Sequence, residues 1–326
     1  MRALVMTEPG GAEHSHVLDL PVPEPGPGEV AVRVAAAGLN FVDVMARRGD
    51  AAYAPSWPHR PGKEIAGTVL ATGPGVTGLA PGDRVVAATR GGGLAEVALA
   101  EAALTVPVPA GVPLEVAATA PLGLATALLL LTDAGRFAPG DRVLVHSAGG
   151  GIGGAVARLL PLLGGGLAVG TVGRPGKAAA AAAAGYHAVF ARDAELPERL
   201  REATGGRGFD LVLDPLGTTA LDLDLDHLAA GGRVVLYGNP GGGAPAALPP
   251  FGRLLGANAT LTGFSHAGLL AAAPAKVADA VRRALDLLAT GALAAPVGTV
   301  AGLAGVPAAH DLLAAGHAEG KYVAVL

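Results

Sequence analysis

The sequence predicts an α/β protein in which a doubly wound parallel sheet is inserted in a β-rich, partly barrel-like domain. Three observations lead there. Residues 141–177 read as strand, glycine turn, helix and strand within about 35 residues, the βαβ unit of a dinucleotide-binding fold. Strand and helix patterns then keep alternating to about Ser265, as a parallel sheet requires. Before residue 118, by contrast, many short apolar runs are separated by regular Pro and Gly turns, the mark of a β-rich domain.

The elements follow in order. Arg2–Met6 and Glu29–Ala36 read as strands, joined by the turn-rich link PVPEPGPGEV at 21–30. Residues 38–46 form a turn leading into a short helix. A loop from Gly49 to Pro61 holds Tyr53 and the only tryptophan, Trp57. Residues 61–69 enter a strand, and 78–86 give a turn and another. From Leu114 to Asp133 the period becomes helical. Its apolar stretch, Val116 to Leu131, is interrupted by Thr119, Pro121 and Gly123 and is too short to span a bilayer.

The glycine turn organises the rest. Arg142–His146 is a β-branched run long enough for one buried strand, Ser147–Gly154 is the turn, Ala155–Leu163 an amphipathic helix and Leu167–Val172 the second strand. Pro161 should kink or end the helix. Without side chains, the turn backbone can bring N–H groups against a pyrophosphate at the helix N-terminus. In a chain with 51 glycines the motif alone means little; its place between strand and helix gives it weight. A site for an unphosphorylated ribose puts an acid after the second strand. Here stand Gly173, Arg174 and Lys177, placed to hold a 2′-phosphate, which points to NADPH. Two solvated cations at a helix start are the plainer alternative.

Further strands are expected at Ala188–Phe190, Phe209–Leu213, Arg233–Tyr237 and Thr260–Gly263. The seven alanines 178–184 favour a helix. A helix at Pro274–Thr290 and a strand at Lys321–Leu326 close the chain.

At 326 residues two domains are expected. A net charge of −4, with no basic block, argues against nucleic acid or an anionic membrane as partner. The first residues read as a strand and not as a signal peptide, so the sequence predicts a cytoplasmic protein. The absence of cysteine removes disulfides, thiolate catalysis and every Cys-based zinc site.

Several stretches together resemble one family over nearly the whole chain: GLNFVD (38–43), PGKEIAG (61–67), LAPGDRVV (79–86), LATA (124–127), APGDRVLVHSAGGGIG (138–153) and FDLVLDPLG (209–217). They resemble the zinc-independent quinone oxidoreductase branch of the medium-chain dehydrogenase/reductase (MDR) superfamily. Enoyl-reductase domains of polyketide synthases share several of these motifs. Zinc-dependent relatives carry Cys and His where this chain has Asn40 and Lys63, and a four-Cys lobe absent here. Lys63 and Glu64 then read as a structural pair at a strand entrance.

The resemblance implies a GroES-like catalytic domain at 1–118 and 265–326, with a Rossmann NADPH-binding domain at 119–264. The cleft between them would hold nicotinamide and substrate, and a homodimer would form through the edge strand Thr260–Gly263. Asn40 would donate to the substrate or organise its loop, and Asp43 would orient it or relay a proton; both could equally cap a helix. Tyr53 matches a loop tyrosine that could supply a phenolic donor or simply pack. Thr126 matches a threonine near the nicotinamide, and could otherwise bond the preceding turn. Gly150, Gly151, Ile152 and Gly153 would touch the pyrophosphate, Gly173, Arg174 and Lys177 the adenosine end, Gly238 and Asn239 the nicotinamide ribose, and Lys321 the C-terminal cofactor contact. Ala191, beside Phe190, replaces the family's adenine-stacking tyrosine.

The resulting expectation is an NADPH-dependent oxidoreductase that passes hydride to a quinone or an α,β-unsaturated carbonyl compound without zinc. The alternatives are a stand-alone enoyl reductase acting on acyl thioesters and an NADPH-binding protein with little turnover. His14-x-His16 carries little metal signal, Asp222, Asp224 and Asp226 read as a solvated helix face, and His146 as a buried, satisfied histidine.

Overall fold

The computed structural model describes residues 1–242 and 247–326. Its strands in chain order are β1 (Arg2–Met6), β2 (Ser15–Asp19), β3 (Glu29–Leu39), β4 (Glu64–Thr72), β5 (Arg84–Ala88), β6 (Val97–Glu101), β7 (Thr105–Pro107), β8 (Val143–Val145), β9 (Ala168–Val172), β10 (Ala188–Ala191), β11 (Phe209–Asp214), β12 (Leu228–Leu236), β13 (Thr260–Gly263), β14 (Val297–Ala301) and β15 (Lys321–Val325). Two units contain them, one of residues 1–125 and 267–326, the other of residues 126–266.

The first unit is β-rich. Seven strands run in the order β14-β15-β3-β4-β5-β7, with β6 on β3, and a separate antiparallel pair joins β1 to β2. The C-terminal strand β15 lies antiparallel on β3, Tyr322 opposite Leu39, so the end of the chain completes a sheet begun at its start. Leu4, Val30, Val32, Ile65, Val85, Leu94 and Val306 fill the interior. Truncating one such side chain, Ile65→Ala, would cost about 2–5 kcal/mol. Residues 119–125 belong to this unit because Glu64 on β4 accepts the backbone N–H groups of Leu122 and Gly123. The chain there makes a wide helical turn, with Leu124 N–H on Thr119 O at 2.9 Å, around Pro121, which has no N–H to give.

The second unit is a six-stranded sheet, all parallel, in the order β10-β9-β8-β11-β12-β13. Counted from β8, this is 3-2-1-4-5-6, the doubly wound order of the dinucleotide-binding fold, whose strand direction of travel reverses between β8 and β11. Leu144, Val169, Leu200, Phe209, Val212 and Val234 form its core. The glycine-turn helix spans Gly151–Leu159 and stops ahead of Pro161, which opens a short tighter turn, Pro161–Leu163. It therefore starts four residues before the amphipathic pattern does, because Gly151 to Gly154 carry no side-chain period.

Leu114–Ala134 is one helical run, among the described residues, whose length and apolar composition would suffice to cross a membrane; 78% of its apolar window is buried inside the fold.

Candidate functional site

In the first unit, the β3–helix corner gathers Asn40, Asp43, Glu64 and Lys321. Helix Phe41–Arg47 begins at Asn40, whose backbone N–H donates to Asp43 Oδ2 at 3.0 Å, while Asp43 Oδ1 accepts Gly62 N–H at 3.1 Å. The capping reading of Asp43 is thus realised, and the same carboxylate, 1% exposed, ties the corner to the turn before β4. The Asn40 side chain faces the Asp43 backbone N–H in the same capping box and has further partners. Its Nδ2 donates to Gly38 O and to Glu64 Oε1, both at 3.1 Å, and its Oδ1 accepts Lys321 Nζ at 2.6 Å. Lys321 Nζ also reaches Leu39 O at 2.9 Å and Glu64 Oε1 at 2.5 Å. Gly38 has no side chain for a reason: a Cβ there would stand 2.3 Å from Glu64 Oε1.

Three expectations change at this corner. Lys63 and Glu64 do not act as an adjacent pair: Lys63 Nζ donates to Arg90 O, whereas Glu64 is fully buried and pairs with Lys321. Lys63 lies in the bend before β4, whereas Glu64 is the strand's first residue. Asn40 spends both amide protons inside the fold, which leaves none to donate to a substrate in this arrangement. Lys321 likewise spends its three donors on Leu39, Asn40 and Glu64, which leaves none for a direct cofactor contact in this arrangement.

Tyr53 lies on the loop after this helix, half-buried, with its phenol pushed above the ordinary tyrosine range by burial and by Asp50. It makes no hydrogen bond to Asn40 or Asp43. Burial also lowers His59 and Lys63, each against the opposing pull of Asp43.

In the second unit the glycine turn sits at the C-terminal end of β8, beside the reversal point of the sheet. Ser147 holds a left-handed φ of 57°, a strained conformation of the sort found at ligand-binding turns. Gly150 caps the helix and Gly151, Ile152 and Gly153 form its first turn, whose N–H groups have no partner within the helix itself. A Cβ on Gly153 would stand 2.7 Å from Ala148 Cα and Ser147 O, so only glycine lets the helix start this close to the strand. Tyr186 fastens it, donating its hydroxyl to Gly153 O at 2.7 Å.

At the end of β9 stand Gly173, Arg174 and Lys177. The Lys177 side chain lies along Gly149, its Cε 3.2 Å from where a Cβ would be, so its stem crosses the glycine turn. Arg192, absent from the residues singled out in the sequence, joins them: its guanidinium is 2.7 Å from where a Cβ on Gly173 would be. The sequence signal for it was only a cation one residue past the third strand. One face of Phe190 is taken, since the Arg199 guanidinium sits 5.6 Å from its ring centre. Gly238 and Asn239 follow β12. Gly238 packs on the loop after β11, where a Cβ would be 2.4 Å from Pro215 O. Thr126 is buried with its Oγ1 unpartnered, so it does not bond the preceding turn.

Beneath these loops lies a buried polar chain. His146 bonds Thr171 Oγ1 at 2.6 Å through Nδ1 and Asp224 Oδ1 at 2.7 Å through Nε2. Asp214, at the end of β11, accepts Leu216 N–H at 2.6 Å, and burial first, then Asp224, raises its carboxyl to about 7. The expectation of a solvated acidic face holds for Asp222 and Asp226, which pair with Arg253, and fails for Asp224, which is fully buried because His146 needs a partner. The expectation of a buried, satisfied His146 is met.

This is a dinucleotide-binding architecture: a glycine turn with strained Ser147, cations at the end of the second strand, and an unpartnered buried Thr126 hydroxyl. Residues 26–110 match the family described as "Alcohol dehydrogenase GroES-like domain" and residues 151–290 the family described as "Zinc-binding dehydrogenase". The chain is 34% identical over 242 residues to the quinone oxidoreductase of Rattus norvegicus, covering 73% of each protein. It is 40% identical over 213 residues to pikromycin polyketide synthase component PikAII of Streptomyces venezuelae, 64% of this chain but 6% of that one. The native structure of mycobacterial Rv1454c complexed with NADPH superposes over all of both chains with a TM-score of 0.91 and 35% identity. The chain spans about half the length of some curated relatives, 49% in the case of the Danio rerio synaptic vesicle membrane protein VAT-1 homolog. It belongs to the MDR superfamily and to its quinone oxidoreductase type.

The family's name raises zinc, and the donor set does not fit it. The chain has no cysteine. Among the described residues no group of three or more His, Cys, Asp or Glu could hold a metal. Glu64 is already surrounded by hydrogen-bond donors, an ammonium among them.

Proposed function

We propose that this protein is an NADPH-dependent oxidoreductase that passes hydride to a quinone or an α,β-unsaturated carbonyl compound without zinc. The observation that carries the proposal is Lys177 across the glycine turn and Arg192 at Gly173, with Arg174 next in sequence, where an NAD site keeps an acid, beside the reversal point of the sheet. The N–H groups of Gly151, Ile152 and Gly153 would bind the pyrophosphate, with Gly150, whose own N–H goes to Ser147 O at 2.9 Å, lying against it; Arg174 and Lys177 would bind the 2′-phosphate, with Arg192 beside them. Gly238 and Asn239 border the nicotinamide ribose. The Thr126 hydroxyl, left without a partner, donates to the carboxamide of the nicotinamide.

When bound, NADPH supplies a hydride; the acceptor also needs one proton. Tyr53, held protonated by burial, is the group in the first unit suited to donate a hydrogen bond to the acceptor oxygen. Asn40 and Asp43 hold the corner from which that oxygen is met. A homodimer joined at β13, which pairs only on its β12 side in the described chain, completes the proposal.

The likeness to the crystal structure of CurK enoyl reductase, 25% identical with a TM-score of 0.87, favours a second reading, reduction of an enoyl thioester. NADPH consumption with 1,4-benzoquinone and with crotonyl thioester, run side by side, separates the two. Faster quinone turnover supports the first reading and faster thioester turnover the second. Tight NADPH binding with neither acceptor reduced would overturn both.

A further inference from the structure

We infer that Glu64 is a positioning residue, which acts on the reaction by fixing the Asn40 carboxamide and the Lys321 ammonium in one arrangement. This rests on the proposed hydride transfer, to which it adds a residue with no contact to either reactant.

The geometry leaves little freedom. A carboxylate offers about four acceptor positions. Glu64 Oε1 receives Asn40 Nδ2 and Lys321 Nζ; Oε2 receives the N–H groups of Leu122 at 2.8 Å and Gly123 at 3.1 Å. All four partners are donors, and the residue is 0% exposed. Lysine can only donate and a carboxylate can only accept. The Asn40 amide therefore has one orientation, with Nδ2 toward Glu64 and Oδ1 toward Lys321. Both amide protons are consumed, on Gly38 O and Glu64 Oε1. Its Oδ1 accepts Lys321 Nζ and faces the Asp43 N–H in the capping box, so the amide organises the corner and has no proton left to donate.

Glutamine cannot replace Glu64. Whichever way its amide turns, its NH₂ faces either the Leu122 and Gly123 N–H groups or Asn40 Nδ2 and the Lys321 ammonium, and a donor meets donors in a buried site. The Asn40 amide would be released while the residues assigned to NADPH, which lie in the other unit, are untouched.

The test compares wild type with Glu64→Gln on two readouts. In protein labelled with ¹⁵N-asparagine, the Asn40 side-chain amide protons should exchange at least ~10-fold faster in the variant. With the better acceptor, kcat should fall about 10- to 100-fold while the Kd of NADPH stays unchanged. Lys321→Met should lose a similar factor, and the double variant no more than either alone, because all three residues act as one unit. Where Glu64→Gln does not fold, Glu64→Gln with Lys321→Met removes both charges together and carries the exchange measurement. Unchanged exchange at Asn40 overturns the inference. So does a loss of kcat matched by equal loss of NADPH affinity, the sign of general damage. If wild type reduces neither acceptor, the proposed function fails, and the exchange result still decides the role of Glu64.

Discussion

Lys321 Nζ lies 2.6 Å from Asn40 Oδ1, across 281 positions of sequence, and so fastens the last strand of the chain to the corner that begins its first helix. The contact exists because β15 completes the sheet on β3, with Tyr322 opposite Leu39. The candidate site in this unit is assembled by the end of the chain.

The cations at the end of β9 should set cofactor choice. Arg174→Ala with Lys177→Ala is expected to weaken NADPH far more than NADH, since each charge-assisted bond to a phosphate contributes about 1.5–3 kcal/mol, roughly 10- to 100-fold. Fluorescence titration with both nucleotides measures it, and equal losses would sink the 2′-phosphate assignment. Arg192→Ala should shift the ratio the same way by a smaller factor.

The second unit should lose stability as pH rises. Asp214 titrates at about 7 in the fold, raised by burial and Asp224, and near 3.9 when unfolded. The folded state thus holds a proton that the unfolded state gives up. Its stabilising contribution is complete below about pH 4 and is lost as pH climbs through about 7. Thermal melts of Asp214→Asn between pH 5 and 8.5 should be flatter than those of wild type; parallel curves would refute the assignment.

His310 should act in the opposite sense in the first unit. It is fully buried, with both ring nitrogens unpartnered, and burial lowers it despite Asp43 and Asp311, with Arg47 adding to the lowering. A histidine held neutral contributes stability above its unfolded pKa, near 6.5, and loses it as pH falls. His310→Leu removes two unsatisfied buried groups and should raise Tm, most of all at pH 5. A lower Tm at that pH would show that the ring is protonated and paired.

Strand β13 should carry the proposed dimer. Thr260→Lys with Thr262→Lys places charge on an edge that would otherwise pair with its copy. Sedimentation should find dimers for wild type and monomers for this variant, and a dimer that survives would move the interface elsewhere.

Much of this architecture is written locally. The glycine turn, the seven-alanine helix, the stop at Pro161 and the strands of the parallel sheet each follow from a short window of residues. The fold class and the MDR type were legible for that reason. β2 (SHVLD) and β14 (VGTVA) carry little strand signal, because their residues alternate weakly and neither element holds a fully buried residue. The departures at the site are long-range. Nothing near Glu64 signals that Lys321 will neutralise it, and nothing in the alternating Leu-Asp run 221–226 signals that Asp224 alone meets a histidine 78 positions away. Such partners are set by which strands become neighbours, and a single window does not contain that information.

Transfer of deuterium from [4-²H]NADPH to an α,β-unsaturated ketone, by protein first dialysed against a chelator, tests the central claim most directly. The account predicts deuterium on the reduced carbon of the product, transferred from one face of the nicotinamide, at a rate the chelator leaves unchanged. Product without label, or activity lost on chelation and restored by zinc, would contradict it.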